Sequence, residues 1–192
     1  MVTFMKKIFL LFVLIFTGIG LSAEFQIDRE KKNSVKFISE APVEQIEGDT
    51  DAIDGYILWE GDNPLNKNEF YFEVDLNKLD TGIGIRNRHM RENYLETEKF
   101  QYAIFKGNLT SIDTLDNGNT FQVVVEGFLN IHGVDQQYEI TGSVINEEKT
   151  LKITSDFEII LTDHKITIPK LMFLKISEII HIELDFYLKK QD

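Results

Sequence analysis

Residues 180–189 read Ile180-His181-Ile182-Glu183-Leu184-Asp185-Phe186-Tyr187-Leu188-Lys189, and this stretch decides the fold. Five apolar side chains alternate without a break with five that are charged or polar-tipped. A period of two puts one row on each face of a β-strand, so the stretch is a strand with a dry side and a wet side. The same pattern runs through Glu69 to Asn77, where Phe70, Phe72, Val74 and Leu76 oppose Tyr71, Glu73, Asp75 and Asn77. It returns in Leu151 to Leu161, with Ile153, Phe157, Ile159 and Leu161 against Lys152, Thr154, Asp156 and Glu158. Weaker alternation marks Ser34 to Ala41, Asp54 to Glu60, Ala103 to Leu109, Thr120 to Glu126 and Tyr138 to Ile145, and a short strand is expected near Phe25.

Turn residues separate these runs: Asp116-Asn117-Gly118-Asn119, His132-Gly133 and Glu147-Glu148-Lys149. Connections this short join antiparallel neighbours. An all-β antiparallel meander of about eight strands, each with one apolar face, buries those faces by closing into a barrel or by packing as a sandwich. Periodicity leaves that choice open.

One stretch resists the strand reading. Asp80 to Phe105, DTGIGIRNRHMRENYLETEKFQYAIF, opens with a loop in which Gly82 and Gly84 are both free to take positive φ. It continues through Arg88 to Tyr94, a run of good helix formers that Asn87 is placed to cap, so a short helix is expected between two strands. The D-T-G loop, the Arg, His and Met spacing that follows, the Lys99-Phe100 pair and the aromatic-rich strand after it resemble the YceI-like family. A second match is Gly127 to Val134, GFLNIHGV, which is similar to the family's G-x-L-x-I-x-G-V strand and turn. The resemblance spans roughly Phe25 to Leu188. It implies an antiparallel lipocalin-like β-barrel with one short helical segment, of a kind that binds isoprenoids or other long-chain lipids in a tunnel. The chain departs from the family at Gln101, where a Pro usually follows Lys-Phe, and at Asp163-His164-Lys165-Ile166, where the family often reads D-F-G-I.

Lys6 and Lys7 precede the nine apolar residues Ile8 to Phe16, and small residues follow at Gly18, Gly20, Ser22 and Ala23. That order is an export signal, and its apolar core falls well short of the ~20 residues a helix needs to span a bilayer. Residues 1–23 are read as the signal peptide and 24–192 as the barrel, which places the mature protein in a periplasm or outside the cell. With no Cys, the chain has no disulfide, acylated Cys, thiolate ligand or thiol nucleophile. Removing residues 1–23 takes away Lys6 and Lys7, leaving 20 − 2 = 18 basic side chains against 32 acids, a net charge of −14. A surface that acidic repels a phosphate backbone, so nucleic acid is excluded as a partner.

The inward rows are the candidate site. Phe70, Phe72, Val74, Leu76, Phe105, Val123, Val125, Phe157, Ile159, Ile182, Leu184 and Phe186 either fill a core or, as the resemblance implies, wall a lumen for an isoprenoid, an isoprenoid quinone or a similar lipid. Arg86, Arg88, His89 and Arg91 bring three of the mature chain's Lys and Arg within six residues and are candidates to meet the ligand's polar head. The plainer reading is a solvated segment tied locally, for instance Arg88 to Glu92 one turn on. His89, His132, His164 and His181 stand singly, without H-x-H or H-E-x-x-H spacing, so no metal or other cofactor is expected. They are read as solvated or hydrogen-bonded in turns.

Without a G-x-S-x-G elbow or a Cys, hydrolysis has no nucleophile signature, and the chain is not read as an enzyme. The favoured reading is an exported binding protein that carries or stores a long apolar ligand. Behind it rank a barrel with a packed core that acts through its surface as a stress or adhesion factor, and then an enzyme of isoprenoid or lipid metabolism. A carrier of this kind would touch a membrane or membrane protein transiently, and a homodimer is compatible with it.

Overall fold

The computed structural model describes residues 22–40, 45–115, 118–168, 170–171, 174–175 and 177–191. The expected signal peptide lies, through residue 21, outside the described residues, as do Asp116 and Asn117 of one expected turn.

Among the described residues twelve strands follow in chain order. They are β1 (Ser22–Ile27), β2 (Ser34–Ser39), β3 (Ile46–Thr50), β4 (Ile53–Glu60), β5 (Asn68–Asp75) and β6 (Tyr102–Thr114), then β7 (Thr120–Ile131), β8 (Val134–Glu147), β9 (Thr150–Ile160), β10 (Lys170–Leu171), β11 (Leu174–Lys175) and β12 (Ile179–Lys190). β10 and β11 form a small hairpin of their own. The others close into an antiparallel barrel of eight staves, because β1 and β2 share one line of the wall and β3 and β4 share the next. β4 pairs with β1, from β5 through β9 each strand pairs with the one before it, and β12 completes the ring by pairing with β9 on one edge and with β2 and β1 on the other. Barrel rather than sandwich is thus settled by a hydrogen-bonded seam.

The seam contains an irregularity that the chain repairs with a side chain. From Ile27 to Ser34 the first stave takes seven residue steps where β12 takes three, from Leu188 to Asp185. The backbone N–H of Asp28 donates to Tyr187 O at 2.8 Å, and Tyr187 N–H donates to Asn33 Oδ1 at 3.0 Å, so the Asn33 amide stands in for a missing carbonyl. Its other end donates to Asp28 O at 3.0 Å, and both Asp28 and Asn33 are buried. A side-chain amide has both a donor and an acceptor, which is what a broken ladder lacks.

The two ends of the barrel differ. At the end that holds the chain's start and finish, Phe25 stacks on Trp59 with ring centroids 5.3 Å apart, and Leu188 is fully buried among Phe25, Ile27, Ile57 and Phe186. This end is packed shut. At the other end Leu129, Ile131, Ile159, Ile166 and Ile180 form a second cluster, joined by Tyr94 and Leu95 from the helical segment.

Several elements differ from the sequence-based expectation. The helix α1 spans Gly84–His89 and runs on into a π-helical turn, Met90–Tyr94. Asn87 does not cap it. Its side chain reaches back to the preceding loop, accepting from Thr81 N at 2.9 Å and donating to Asp80 Oδ1 at 2.7 Å, which buries Asn87 inside the helix. Gly82 takes φ 75°, whereas Gly84 is helical. β6, β7 and β8 are longer than the alternation marked: in β6 the register against β7 shifts between Leu109 and Ser111, where the marked run ends, and in β7 the marked run is followed by Gly127, which faces Gly107. β3 and the β10–β11 hairpin carried too little alternation to be expected.

The facing glycines mark a close approach of backbones. A Cβ on Gly127 would sit 2.3 Å from Lys106 O, and one on Gly107 2.5 Å from Glu126 O. Gly127→Ala is therefore expected to destabilise the barrel by about 2 kcal/mol or more. Gly84→Ala, in a helix with nothing within 4 Å of the added methyl, is expected to stabilise it by about 0.5 kcal/mol. Urea denaturation of the two variants beside the parent chain checks both; equal midpoints would show that the close approach is not rigid.

Candidate functional site

The barrel is hollow. A cavity of about 610 Å³ lies on its axis, within the ~300–1,000 Å³ typical of small-molecule sites. β5 contributes Phe70, Phe72 and Val74, and the 3₁₀ turn after it Leu76. β6 adds Phe105, β7 Val123 and Val125, and β9 Phe157 and Ile159. β12 supplies Ile182, Leu184 and Phe186. All twelve apolar candidates named from the alternation therefore face one space.

Their exposure shows that this space is not filled by side chains. Phe70, Phe72, Val74, Phe105, Phe157, Ile182 and Leu184 point inward yet keep part of their surface accessible, while Phe25 and Leu188 at the packed end are buried. A filled core leaves inward residues with almost no accessible surface. Water in such a lumen would find almost no partners, since a buried water needs two to four polar contacts, so the space suits an apolar occupant.

The alternation missed part of the wall. Ile140 and Val144 on β8 line the cavity, although β8 reads as a weak strand interrupted by Gly142, and Phe37 on β2 joins them. The helical segment adds Ile85, Met90, Tyr94 and Leu95. Helical spacing was the available signal, because Ile85 with His89 and Arg86 with Met90 are pairs at i, i+4 and share a face.

The same spacing sorts the four candidate head-group residues. Arg86 and His89 line the cavity mouth; Arg88 and Arg91 do not. Arg88 lies on the helix's far side and is exposed, and Arg91 Nη1 donates to Asn77 O at 3.4 Å. Among the described residues no Arg88–Glu92 ion pair forms. Arg86 is held by its own loop, Nε donating to Thr81 Oγ1 and Nη2 to Thr81 O, both at 2.9 Å. The loop is anchored in turn. Asp80 exchanges backbone hydrogen bonds with Asp49 of β3 at 2.9 and 3.0 Å, and its carboxylate is held below the ordinary range, first by the Asn87 amide and then by Gly82 N–H.

The chain matches the YceI-like domain over residues 25–188. It belongs to the YceI-like family. Among solved structures with this fold are Burkholderia cenocepacia BcnA and a polyisoprenoid-binding domain from Saccharophagus degradans implicated in plant cell wall breakdown. BcnA is 15% identical, with a TM-score of 0.66, over 84% of this chain and 98% of that one. The second is 17% identical, with a TM-score of 0.66, over 88% and 99%. A Campylobacter jejuni YceI protein is also similar, at 13% identity and a TM-score of 0.59 over 78% and 88%. No curated protein matches the chain.

The departure from the family's D-F-G-I has a visible result. Lys165, where that pattern has Gly, holds the left-handed conformation at φ 57°. His164, where it has Phe, is fully buried, and of the two expected situations, solvated or hydrogen-bonded in a turn, it takes the second. Its Nδ1 lies 3.1 Å from Val134 O and so carries the proton, and Nε2, 3.3 Å from the Tyr138 hydroxyl, accepts from it. The imidazole also stacks on Tyr138. His132 ties both mouth loops together, with Nε2 2.9 Å from Glu96 Oε2 and Nδ1 3.3 Å from His164 O. His181 is half-exposed, 3.3 Å from Glu158. Among the described residues no group of three or more metal-ligating side chains converges. Ser39, buried near the mouth, keeps a hydroxyl with no protein partner.

Burial holds the His164 imidazole below its ordinary pKa, outweighing its bonds to backbone carbonyls. Between about pH 6.5, the ordinary value, and the lowered one, the unfolded chain binds a proton that the folded chain does not. Stability is therefore complete above that interval and falls as pH drops through it. The urea midpoint is expected to fall between about pH 7 and 5, a range that leaves Asp80 and Glu96 ionised. His164→Phe should flatten the slope. An equally steep slope in the variant would assign the effect to other groups.

Proposed function

We propose that this protein is an exported carrier that holds a long apolar ligand, an isoprenoid or similar lipid, in the barrel lumen. The observation that supports it most is the accessible surface of the inward Phe, Val and Leu residues, since a packed barrel acting through its exterior would have none. Family membership and a polyisoprenoid-binding neighbour agree with the reading. Each CH₂ transferred from water to such a wall contributes about 0.8 kcal/mol, so a dozen tail carbons supply on the order of 10 kcal/mol before ordering and association costs. That is enough to hold a lipid without specific contacts along the tail.

The charge-rich but cysteine-free chain, its N-terminal signal and its open mouth fit a carrier working outside the cytoplasm. Ile83 and Ile85, both exposed where the helical segment meets the mouth, are where cargo and carrier would first meet at a membrane. Fractionation with N-terminal sequencing is expected to find a soluble mature chain that begins near Glu24. Full-length protein fixed in a membrane would defeat the export reading.

For the lumen, native mass spectrometry of protein purified from its own host is expected to show a bound lipid that organic extraction removes. Phe72→Asp and Val125→Asp put an unpaired carboxylate into the apolar wall and are expected to lose that lipid while circular dichroism stays β-rich. Folded variants that keep their lipid would remove those residues from the site, and a parent protein purified empty would count against the carrier.

A further inference from the structure

We infer that the barrel wall has a side port, the seam between β8 and β9 above Gly142, through which the ligand enters and leaves. The inference rests on the lumen being a lipid site and adds the route into it.

The seam is a backbone ladder for only part of its length. β8 and β9 pair from Glu147 with Thr150 to Gly142 with Ser155, and among the described residues the ladder stops there. Both strands continue toward the mouth, β8 back to Val134 and β9 on to Ile160, and each stays paired along its other edge, β8 with β7 and β9 with β12. Neither strand has frayed. The two have parted.

Side chains cross the gap instead. Ser155 Oγ donates to Thr141 O at 2.7 Å, and Gln136 Nε2 donates to Asp163 O at 2.8 Å. His164 reaches across from the turn after β9, its Nδ1 3.1 Å from Val134 O and its Nε2 3.3 Å from the Tyr138 hydroxyl. Carbonyls that a ladder would have met are thus met by groups that can rotate away. The Tyr138 ring fills the space between the strands, stacked on the imidazole at 6.1 Å and edge-on to Phe157 at 6.2 Å. The lumen reaches the inner side of this plug, because Ile140 of β8 and Phe157 and Ile159 of β9 line the cavity.

On the outside, charge opposes a continued ladder. Glu139 and Glu158 stand three residues beyond the Gly142–Ser155 pair on their strands, both exposed, and the same register would set their carboxylates face to face. Like charges directly opposite one another are destabilising in a sheet, and Glu139 already faces Glu126 of β7.

Opening this seam is unlike unzipping a strand. A ladder has to be stripped of backbone bonds in series, whereas here side-chain bonds are released by rotamer changes while both strands keep their outer partners. The alternatives are stiffer. One end of the barrel is packed shut, and the helical segment at the mouth is braced through Asp80, Thr81 and Asn87. A ligand confined to the mouth has to slide its whole length along the axis past Ile85, Tyr94 and Leu95; one that uses the seam enters sideways.

The test uses mature protein stripped of lipid and loaded with all-trans-retinol, a fluorescent isoprenoid. Glu139→Cys with Glu158→Cys places two thiols on the outer face of a chain that has no other Cys, and a bismaleimide joins them across the seam. Linked protein is expected to keep its equilibrium affinity for retinol but to pass it to phosphatidylcholine vesicles about tenfold or more slowly than the same protein before linking. A second linked pair, Gln122→Cys with Ser143→Cys across the laddered β7–β8 seam, should transfer at the parent rate. Gln136→Ala with Tyr138→Phe removes two of the crossing bonds and is expected to speed transfer severalfold. A seam link that leaves the rate unchanged would overturn the inference and make the mouth the route, and equal slowing by both links would overturn it as general stiffening. Folded parent protein that binds no retinol would remove the lumen reading itself, and the port with it.

Discussion

The structure depends on the pairing of β12 with strands on both its edges. An open sheet of these residues would have to press its apolar face against another layer, because hydrophobic surface with no partner is driven together. Once the ring is closed, the wall is kept apart by backbone hydrogen bonds around its circumference, and β3, paired with β2 on one side, is tied on the other by the Asp49–Asp80 bridge. Side chains need not meet in the middle. Packing is concentrated where the ring itself supplies no cover: the Phe25, Trp59 and Leu188 cluster at one end and the Ile131, Ile159 and Ile166 cluster at the other. The cavity follows from closure.

The two ends then take different parts. The packed end is built from strand residues and the stacked Phe25–Trp59 pair. The mouth is built from loops, and its polar groups are fixed to one another. Asp80 is stitched to β3, Asn87 to Asp80 and Thr81, Arg86 to Thr81, and His132 to both Glu96 and the His164 carbonyl. Each bond is modest, but together they hold a six-residue helix that could not stand alone in water. A side chain on that helix can meet a ligand in a defined orientation because the loop beneath it is held.

Much of this was legible in the residues, and what was not has physical reasons. The rows in β5, β9 and β12 alternate cleanly because one face of each looks into the lumen and the other into water, so Phe72, Ile159 and Phe186 could be named as inward from spacing alone, while their place in a wall was what the family resemblance implied. Gly127 ended the same signal in β7, and in β6 it ended at Leu109, where the register against β7 shifts and the alternation breaks. Asn87 carried the composition of a cap but serves as a cross-brace, and a side chain's partner six residues back is a tertiary fact. His164 shows the limit most plainly. A lone histidine in a turn is usually wet, and only the Tyr138 ring and the Val134 carbonyl, from another part of the chain, make its burial tolerable. Arg88 and Arg86 could be told apart only once the helix start was known to within a residue.

The seam repaired by Asn33 joins the barrel's first strand to its twelfth. Phe25 lies beside Lys190 and Ile27 beside Leu188, so the contact that seals the vessel becomes available only after the strands between them have been made. Until residues 179–190 have emerged, the preceding strands can form only a curved sheet with two unpaired margins and its greasy face uncovered. A chain that lacked β12 would have no smaller version of the vessel to fall back on. Contacts this distant along the chain are slow to form, since a long loop must be closed before any bond rewards it. Sealing therefore comes late, and the interior stays open to the surroundings until the last strand docks.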